Sequence, residues 1–146
     1  MDKKIVAFAS DHAGYKLKEE LKNYVESLGY QVVDLGPNTD AVPSSYATQG
    51  HKLAEYMDNE DPTFGIGVCG TGLGISYALN RHKHIRAARV TSLEDAHLAK
   101  LHNNANVLAF GGRQIAPENA KKMVDEYLKT NYEGGRHQSR IEELDK

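Results

Sequence analysis

The stretch Val68-Cys69-Gly70-Thr71-Gly72-Leu73-Gly74-Ile75-Ser76 decides the fold, because it joins an apolar run to a helical pattern through a glycine-rich turn. The preceding run, Phe64–Cys69 (FGIGVC), is short and apolar, as is typical of a buried strand. The residues that follow, Leu73–Asn80, are predicted to form a helix. A strand, a tight turn and a helix are the building unit of an α/β fold.

The same unit recurs on both sides of this stretch. Four further strands are predicted, at Lys4–Ala9, Tyr30–Leu35, Arg86–Val90 and Asn106–Phe110. Five further helices are predicted, at Tyr15–Leu28, Ser45–Met57, Glu94–His102, Glu118–Lys129 (with Pro117 at the first helical position) and Arg136–Leu144. The second of these helices is expected to end at a polar break, Asp58–Pro62, and to turn Tyr46 inward. Strands that alternate with helices predict a five-stranded parallel sheet in a three-layer α/β/α sandwich, Rossmann-like in type.

Composition narrows the class of protein. The chain has 146 residues and no internal repeat, so residues 1–146 are predicted to form a single domain. A net charge of −2 and the lack of a basic run argue against nucleic-acid binding. The single cysteine, Cys69, fits a reducing compartment. The apolar run near the N-terminus is too short for a signal peptide, and no run approaches the ~18 residues of a membrane span. We therefore expect a cytoplasmic protein with no membrane partner.

Parallel sheets bind ligands beyond the carboxyl ends of their strands, which directs attention to the residues after each strand. Asp11 and His12 follow the first strand; the alternative interpretation is a helix cap and an exposed histidine. Cys69 opens the glycine-rich turn after the third strand, where backbone N–H groups and a helix N-terminus favour an anion, including a thiolate. Buried cysteines are often inert, but this placement favours a reactive one. The turn lacks the third glycine of a dinucleotide fingerprint and a Walker lysine.

Two further polar segments carry candidate residues. His102 and Asn103 open a polar segment before the fifth strand, for which a plain turn is the alternative interpretation. Arg136 and Arg140 are four apart on the last helix, so they share a face and could clamp a phosphate, although such pairs are usually only solvated. His97 and His102 are five apart, which is wrong for two ligands on one helical face. We therefore predict no metal site and activity without metal.

Together these segments resemble the ribose-5-phosphate isomerase B family, which also includes allose-6-phosphate isomerases and the subunits of galactose-6-phosphate isomerase. The resemblance spans about residues 3–144, with four motifs in the family's order. The motifs are Ser10-Asp11-His12-Ala13-Gly14, Val68-Cys69-Gly70-Thr71-Gly72-Leu73-Gly74-Ile75-Ser76, His102-Asn103-Asn104-Ala105-Asn106-Val107 and Tyr132-Glu133-Gly134-Gly135-Arg136-His137. A second branch of the family carries a glutamate base six positions after the cysteine; Ile75 stands there, so this chain falls in the cysteine branch.

The resemblance implies an aldose–ketose isomerase without metal or organic cofactor. It implies that Cys69 removes the proton from carbon 2, that Thr71 stabilises the enediolate and that His102 promotes ring opening. It also implies the residues that bind the sugar phosphate. These are Asp11, His12, Asn103, the two arginines Arg136 and Arg140, and the backbone N–H groups of Gly70, Gly72 and Gly74.

The resemblance further implies a homodimer or a tetramer with shared sites. The last helix, about 136–144, has few apolar residues, chiefly Ile141 and Leu144, so we expect it to dock on a partner subunit. His102, Asn103, Arg136 and Arg140 would then reach the partner's pocket.

One segment departs from the family pattern. The family has Asp-Tyr-Pro-(any)-Tyr-Ala after the second strand, whereas this chain has Ala41-Val42-Pro43-Ser44-Ser45-Tyr46-Ala47. Because that region often lines the sugar end of the pocket, isomerisation of a six-carbon sugar phosphate, allose 6-phosphate or galactose 6-phosphate, is the main alternative to ribose 5-phosphate. Two further alternatives are a non-catalytic sugar-phosphate-binding subunit and a thiol hydrolase, the latter needing a histidine that activates Cys69.

Overall fold

A central parallel sheet organises the chain in the computed structural model, which describes residues 4–146. The first three residues of the predicted domain lie outside the described residues. The strands are β1 (Ile5–Ser10), β2 (Gln31–Asp34), β3 (Phe64–Cys69), β4 (Ala87–Arg89) and β5 (Val107–Gly111). Their order across the sheet is β2-β1-β3-β5-β4, and every neighbouring pair is parallel. The predicted five-stranded parallel sheet is confirmed.

Helices connect the strands in the predicted alternation. They are α1 (Tyr15–Ser27), α2 (Tyr46–Glu60), α3 (Leu73–Asn80), α4 (Leu93–Leu101), α5 (Pro117–Lys129) and α6 (Arg136–Glu143), with a short 3-10 turn at His12–Gly14. None of the helices in residues 4–146 combines the length and the apolar character that crossing a membrane requires.

Two apolar clusters on opposite faces of the sheet give the three layers. Alternate side chains of a strand point to opposite faces, so Val6 and Phe8 of β1 pack on one side and Ala7 and Ala9 on the other. The first cluster packs α1, α4 and α5 against the sheet, and the second packs α2 and α3. The side chain of Cys69 belongs to the second cluster. The predicted three-layer α/β/α sandwich is therefore confirmed.

Helix α2 differs from its prediction at both ends. It continues through the predicted polar break to Glu60, because its last turn is solvent-exposed and needs no apolar residues; it ends where Asp61 adopts a left-handed φ of 46°. The prediction that Tyr46 lies on the inner face is also wrong. Tyr46 is the first helical residue and 49% exposed, since α2 meets the sheet only further along, at Leu53 and Ala54.

Candidate active site

A cleft of about 550 Å³ opens beyond the carboxyl ends of β1 and β3. These strands are neighbours, yet α1 and α3, which follow them, pack on opposite faces of the sheet. Their divergence leaves a crevice, which is where open α/β sheets bind ligands. The residues lining the cleft are Asp11, His12, Ala13, Ser44, Ser45, Tyr46, Cys69, Gly70, Thr71, Gly74, Tyr77 and Arg113.

Cys69 is the last residue of β3 and forms part of the cleft wall. Its side chain is free and only 3% exposed, and its Sγ accepts a hydrogen bond from the backbone N–H of Gly72 at 3.2 Å. Gly72 has a φ of +80°, and a Cβ there would lie 3.0 Å from the carbonyl carbon of Phe110, so this turn requires glycine. The turn thus aims an N–H donor at the sulphur.

Donors for a second anionic centre surround the thiol. Thr71 Oγ1 accepts a hydrogen bond from Leu73 N at 3.1 Å, which leaves its hydroxyl proton available to a ligand. Within residues 4–146, the backbone N–H groups of Gly70 and Gly74 have no hydrogen-bond partner. Gly72, predicted alongside them as a substrate donor, instead directs its N–H to Cys69. A proton acceptor beside several donors is suited to removing a proton next to a carbonyl group and holding the resulting oxyanion.

Asp11 and His12 lie together at the end of β1. Asp11 is buried and accepts a hydrogen bond from Gly14 N at 3.0 Å, so it does cap the turn that follows, as the alternative interpretation holds, while also lining the cleft. His12 Nδ1 accepts a hydrogen bond from Ser44 N at 3.1 Å. The same Nδ1 lies 3.3 Å from the carbonyl oxygen of Ser44, so the backbone of Ser44 holds the ring in either tautomer.

Buried charges fix the turn after β2, which precedes the segment that carries Ser44. The side chain of Lys18 is fully buried and bridges Asp34 at 2.8 Å and the carbonyl of Pro37 at 2.7 Å. Burial opposes ionisation of Asp34, but its hydrogen bonds with Lys18 and Lys22 outweigh that effect and lower the pKa of the carboxyl group. The segment that departs from the family pattern follows this turn, and its residues Ser44 and Ser45 line the same cleft as Cys69.

Arg113, Tyr46 and Tyr77 are cleft residues that the sequence interpretation missed. Arg113 follows the carboxyl end of β5, and a Cβ on Gly70 would lie 3.5 Å from its Nη1. It brings a positive charge next to Gly70, in the cleft that Cys69 also lines. The rule that points to strand ends would have found it, had it been applied to β5. The two tyrosines extend from α2 and α3, and only the packing of these helices brings them to the cleft.

The other predicted site residues lie at the opposite end of the sheet. His102 caps the end of α4, and the segment after it leads to the start of β5. Arg136 and Arg140 are exposed on α6, whose buried residues are His137 and Ile141. Asn103 is also exposed and lies near the end of α6, lining a separate groove with Leu144.

The two groups are too far apart to meet around one small molecule. Val107 and Gly111, the ends of β5, pair with Gly65 and Cys69 of β3. Four residues of strand span about 13 Å, so the start of β5 is about that far from the thiol. A single chain therefore brings together Asp11, His12, Cys69, Gly70, Thr71 and Gly74, but not His102, Asn103, Arg136 and Arg140 with them.

Comparison with known proteins identifies the family. Residues 6–144 match the ribose/galactose isomerase family. The chain is 39% identical to ribose-5-phosphate isomerase B of Escherichia coli, covering 97% of this chain and 94% of that one.

Solved structures agree. A ribose 5-phosphate isomerase from Thermotoga maritima superposes with a TM-score of 0.94 at 42% identity, covering 99% of both chains. The enzyme from Mycoplasma genitalium with bound ribulose-5-phosphate superposes with a TM-score of 0.91 at 40% identity, covering 99% of this chain and 95% of that one. The thiol and its donors lie in the crevice between β1 and β3, and the relatives are matched over nearly their whole length. The chain therefore belongs to the ribose/galactose isomerase family.

Proposed function

We propose that this protein is an aldose–ketose isomerase that interconverts ribose 5-phosphate and ribulose 5-phosphate, with Cys69 as the base. The observation that carries the proposal is the Cys69 thiol, held 3.2 Å from the backbone N of Gly72 in a cleft that Gly70, Thr71 and Gly74 also line. The relative with bound ribulose-5-phosphate supports the choice of sugar. The single free thiol fits the cytoplasm, where cysteines stay reduced.

The reaction follows from the donors and the acceptor in the cleft. The thiolate removes the proton from carbon 2 of the open-chain aldose, and the electrons of that C–H bond form the enediolate. The hydroxyl of Thr71 and the N–H groups of Gly70 and Gly74 donate to its oxygens. The hydroxyl proton on oxygen 2 moves to oxygen 1, and return of the abstracted proton from Cys69 to carbon 1 then gives the ketose. Such donors act on charge that develops only during the reaction, so they lower the barrier rather than tighten ground-state binding.

The remaining roles require a second copy of the chain. His102 would open the sugar ring, Asn103 would hold the sugar, and Arg136 and Arg140 would bind the phosphate. Because these residues lie toward the start of β5, which is about 13 Å along the sheet from the chain's own thiol, we propose that they complete the site of a partner subunit in a homodimer or a tetramer. Asp11 and His12 bind the sugar phosphate from the thiol's own chain.

Replacing Arg136 with alanine should raise the Michaelis constant more than it lowers turnover. Loss of one charged hydrogen bond to a phosphate costs about 2–3 kcal/mol, or roughly 30- to 150-fold in affinity. The phosphate is remote from the reacting carbons, so the loss should fall mainly on binding. Initial rates measured over a range of ribose 5-phosphate concentrations separate the two parameters.

Arg81→Ala is the matched control, because Arg81 is an exposed arginine at the end of α3 and lines no part of the cleft. Its Michaelis constant and its turnover should equal those of the unaltered protein. An unchanged Michaelis constant in Arg136→Ala would show that Arg136 does not bind the phosphate.

Turnover on a panel of five- and six-carbon aldose phosphates tests the choice of substrate. We expect the highest kcat/KM with ribose 5-phosphate. A six-carbon substrate would need more room at the sugar end, and the segment Ala41–Ser45 is where this chain differs from the family pattern. A preference for allose 6-phosphate or galactose 6-phosphate would overturn the substrate assignment and leave the reaction class standing. Inactivity on the whole panel would favour a non-catalytic subunit.

A further inference from the structure

His102, Glu133 and His137 form a cluster outside the cleft. One ring nitrogen of each histidine and one carboxylate oxygen of the glutamate all lie within 4.8 Å of one another. The three come from separate segments: the end of α4, the connection before α6, and the first turn of α6. The hydrogen bond from Glu133 N to the carbonyl of Leu101 holds the connection against the end of α4.

His137 gives a second, independent sign of a ligand. Its side chain is nine-tenths buried, and Nε2 has no hydrogen-bond partner within residues 4–146. Buried polar atoms normally have a partner, so one without a partner calls for an explanation. The ring stacks on that of His102, with centroids 4.5 Å apart and an angle of 20° between the planes. This stacking holds the two imidazoles side by side.

Glu133 brings a carboxylate to the two imidazoles. Glu133 uses Oε1 to bind Arg136 at 3.0 Å, which leaves its other oxygen available.

We propose that His102, Glu133 and His137 bind Zn²⁺ or a similar divalent transition metal ion, and that the bound ion inhibits the protein. Two imidazoles and a carboxylate are a common donor set for Zn²⁺, with a fourth position left open. Ligands about 2.1 Å from the ion stand roughly 3.4 Å apart in a tetrahedron, so the three side chains need only small rotations from their present separation. Inhibition follows because the ion occupies His102, and this part rests on the proposed function.

The arginines limit how strongly the site binds. Arg136 and Arg140 are positive and lower the affinity of any nearby cation, but both are exposed and therefore screened by solvent and salt. The ion is therefore a reversibly bound inhibitor rather than a permanently bound cofactor. Sugar phosphate should compete with it, because the same arginines are proposed to bind the phosphate.

Calorimetric titration of the full chain with Zn²⁺ tests the site. We expect one ion per chain, bound more weakly in Glu133→Gln and in His137→Ala. In each variant the affinity for Zn²⁺ should fall by at least roughly 10- to 100-fold, which is the loss caused by removing only an outer partner of a metal ligand. Glu133 is exposed, so its variant should fold even if removal of buried His137 does not.

His51→Ala provides the matched control. His51 and His82 form the other close histidine pair, with Nδ1 and Nε2 2.7 Å apart on the exposed surface. The proposal requires Zn²⁺ affinity to survive in this variant. Loss of binding in His51→Ala, unchanged binding in Glu133→Gln, or no binding to the unaltered protein would each overturn it.

Rates of isomerisation with and without Zn²⁺ test the inhibition separately. We expect Zn²⁺ to raise the apparent Michaelis constant, and Glu133→Gln to be less sensitive to it. Binding without inhibition would refute the inhibitory role and leave the metal site standing. If the unaltered protein lacked isomerase activity altogether, the proposed function would fail while the titration still decided the metal site.

Discussion

Replacing Cys69 with alanine should reduce the turnover of ribose 5-phosphate by about 10²- to 10⁴-fold, the contribution expected of a positioned base. The thiol is the proton acceptor proposed for carbon 2, and it sits at the carboxyl end of β3 with the N–H of Gly72 on its sulphur. The affinity for ribose 5-phosphate should change far less, because the residues proposed to bind its phosphate are unchanged. The rate of ribulose 5-phosphate formation at saturating substrate measures the effect.

The variant Cys69→Ser separates chemistry from packing. Serine keeps an acceptor for the N–H of Gly72 and nearly the size of cysteine, but its hydroxyl ionises far less readily than a thiol. It should be as inactive as the alanine variant and should melt near the temperature of the unaltered protein. Near-normal turnover in Cys69→Ala would rule the thiol out as the base.

Mixing two impaired variants, at a substrate concentration well below the Michaelis constant of the arginine variant, should restore activity if sites are shared between chains. One variant carries Cys69→Ala, and the other carries both Arg136→Ala and Arg140→Ala. In a mixed dimer with shared sites, one site lacks both the thiol and the arginines, and the other is intact. Each mixed dimer should therefore show about half the activity of the normal dimer, well above either variant alone.

A mixture that regains no activity would show that sites are not shared. If each chain supplied its own arginines to its own thiol, both sites of a mixed dimer would stay damaged and mixing would restore nothing. That result would refute the sharing and leave the isomerase assignment standing. Size-exclusion chromatography of differently tagged variants confirms that mixed dimers have formed, and a mixture of either variant with itself serves as the control.

The fold could be predicted closely because its three central strands, β1, β3 and β5, are almost wholly buried. A strand such as β3 must be apolar along its whole length, and its turn to α3 must contain glycine, so Phe64–Cys69 and Leu73–Asn80 were predicted with the bounds observed. The end of α2 was missed because its last turn is exposed and polar, which gives a sequence pattern no different from that of a loop.

The cleft was partly predictable for a topological reason. Residues after parallel strands meet at one edge of the sheet, which places Asp11 and His12 beside Cys69 without any knowledge of side-chain packing. Spacing along the chain could not place Glu133 and His137 beside His102. That contact depends on how α6 packs against the end of α4, and packing between distant segments leaves no periodic trace in a sequence.

The contact between Gly74 and Tyr46 bears on any attempt to broaden the substrate range by mutagenesis. A Cβ at position 74 would lie 2.6 Å from Cε1 of the tyrosine ring, so the two positions compete for a single volume. A library that randomises either position alone would mostly return proteins with a displaced ring or an empty gap. If positions 46 and 74 are varied together, a larger residue at one can be matched by a smaller residue at the other. The shape of the cleft can then change while α3, which begins beside the thiol, stays in position.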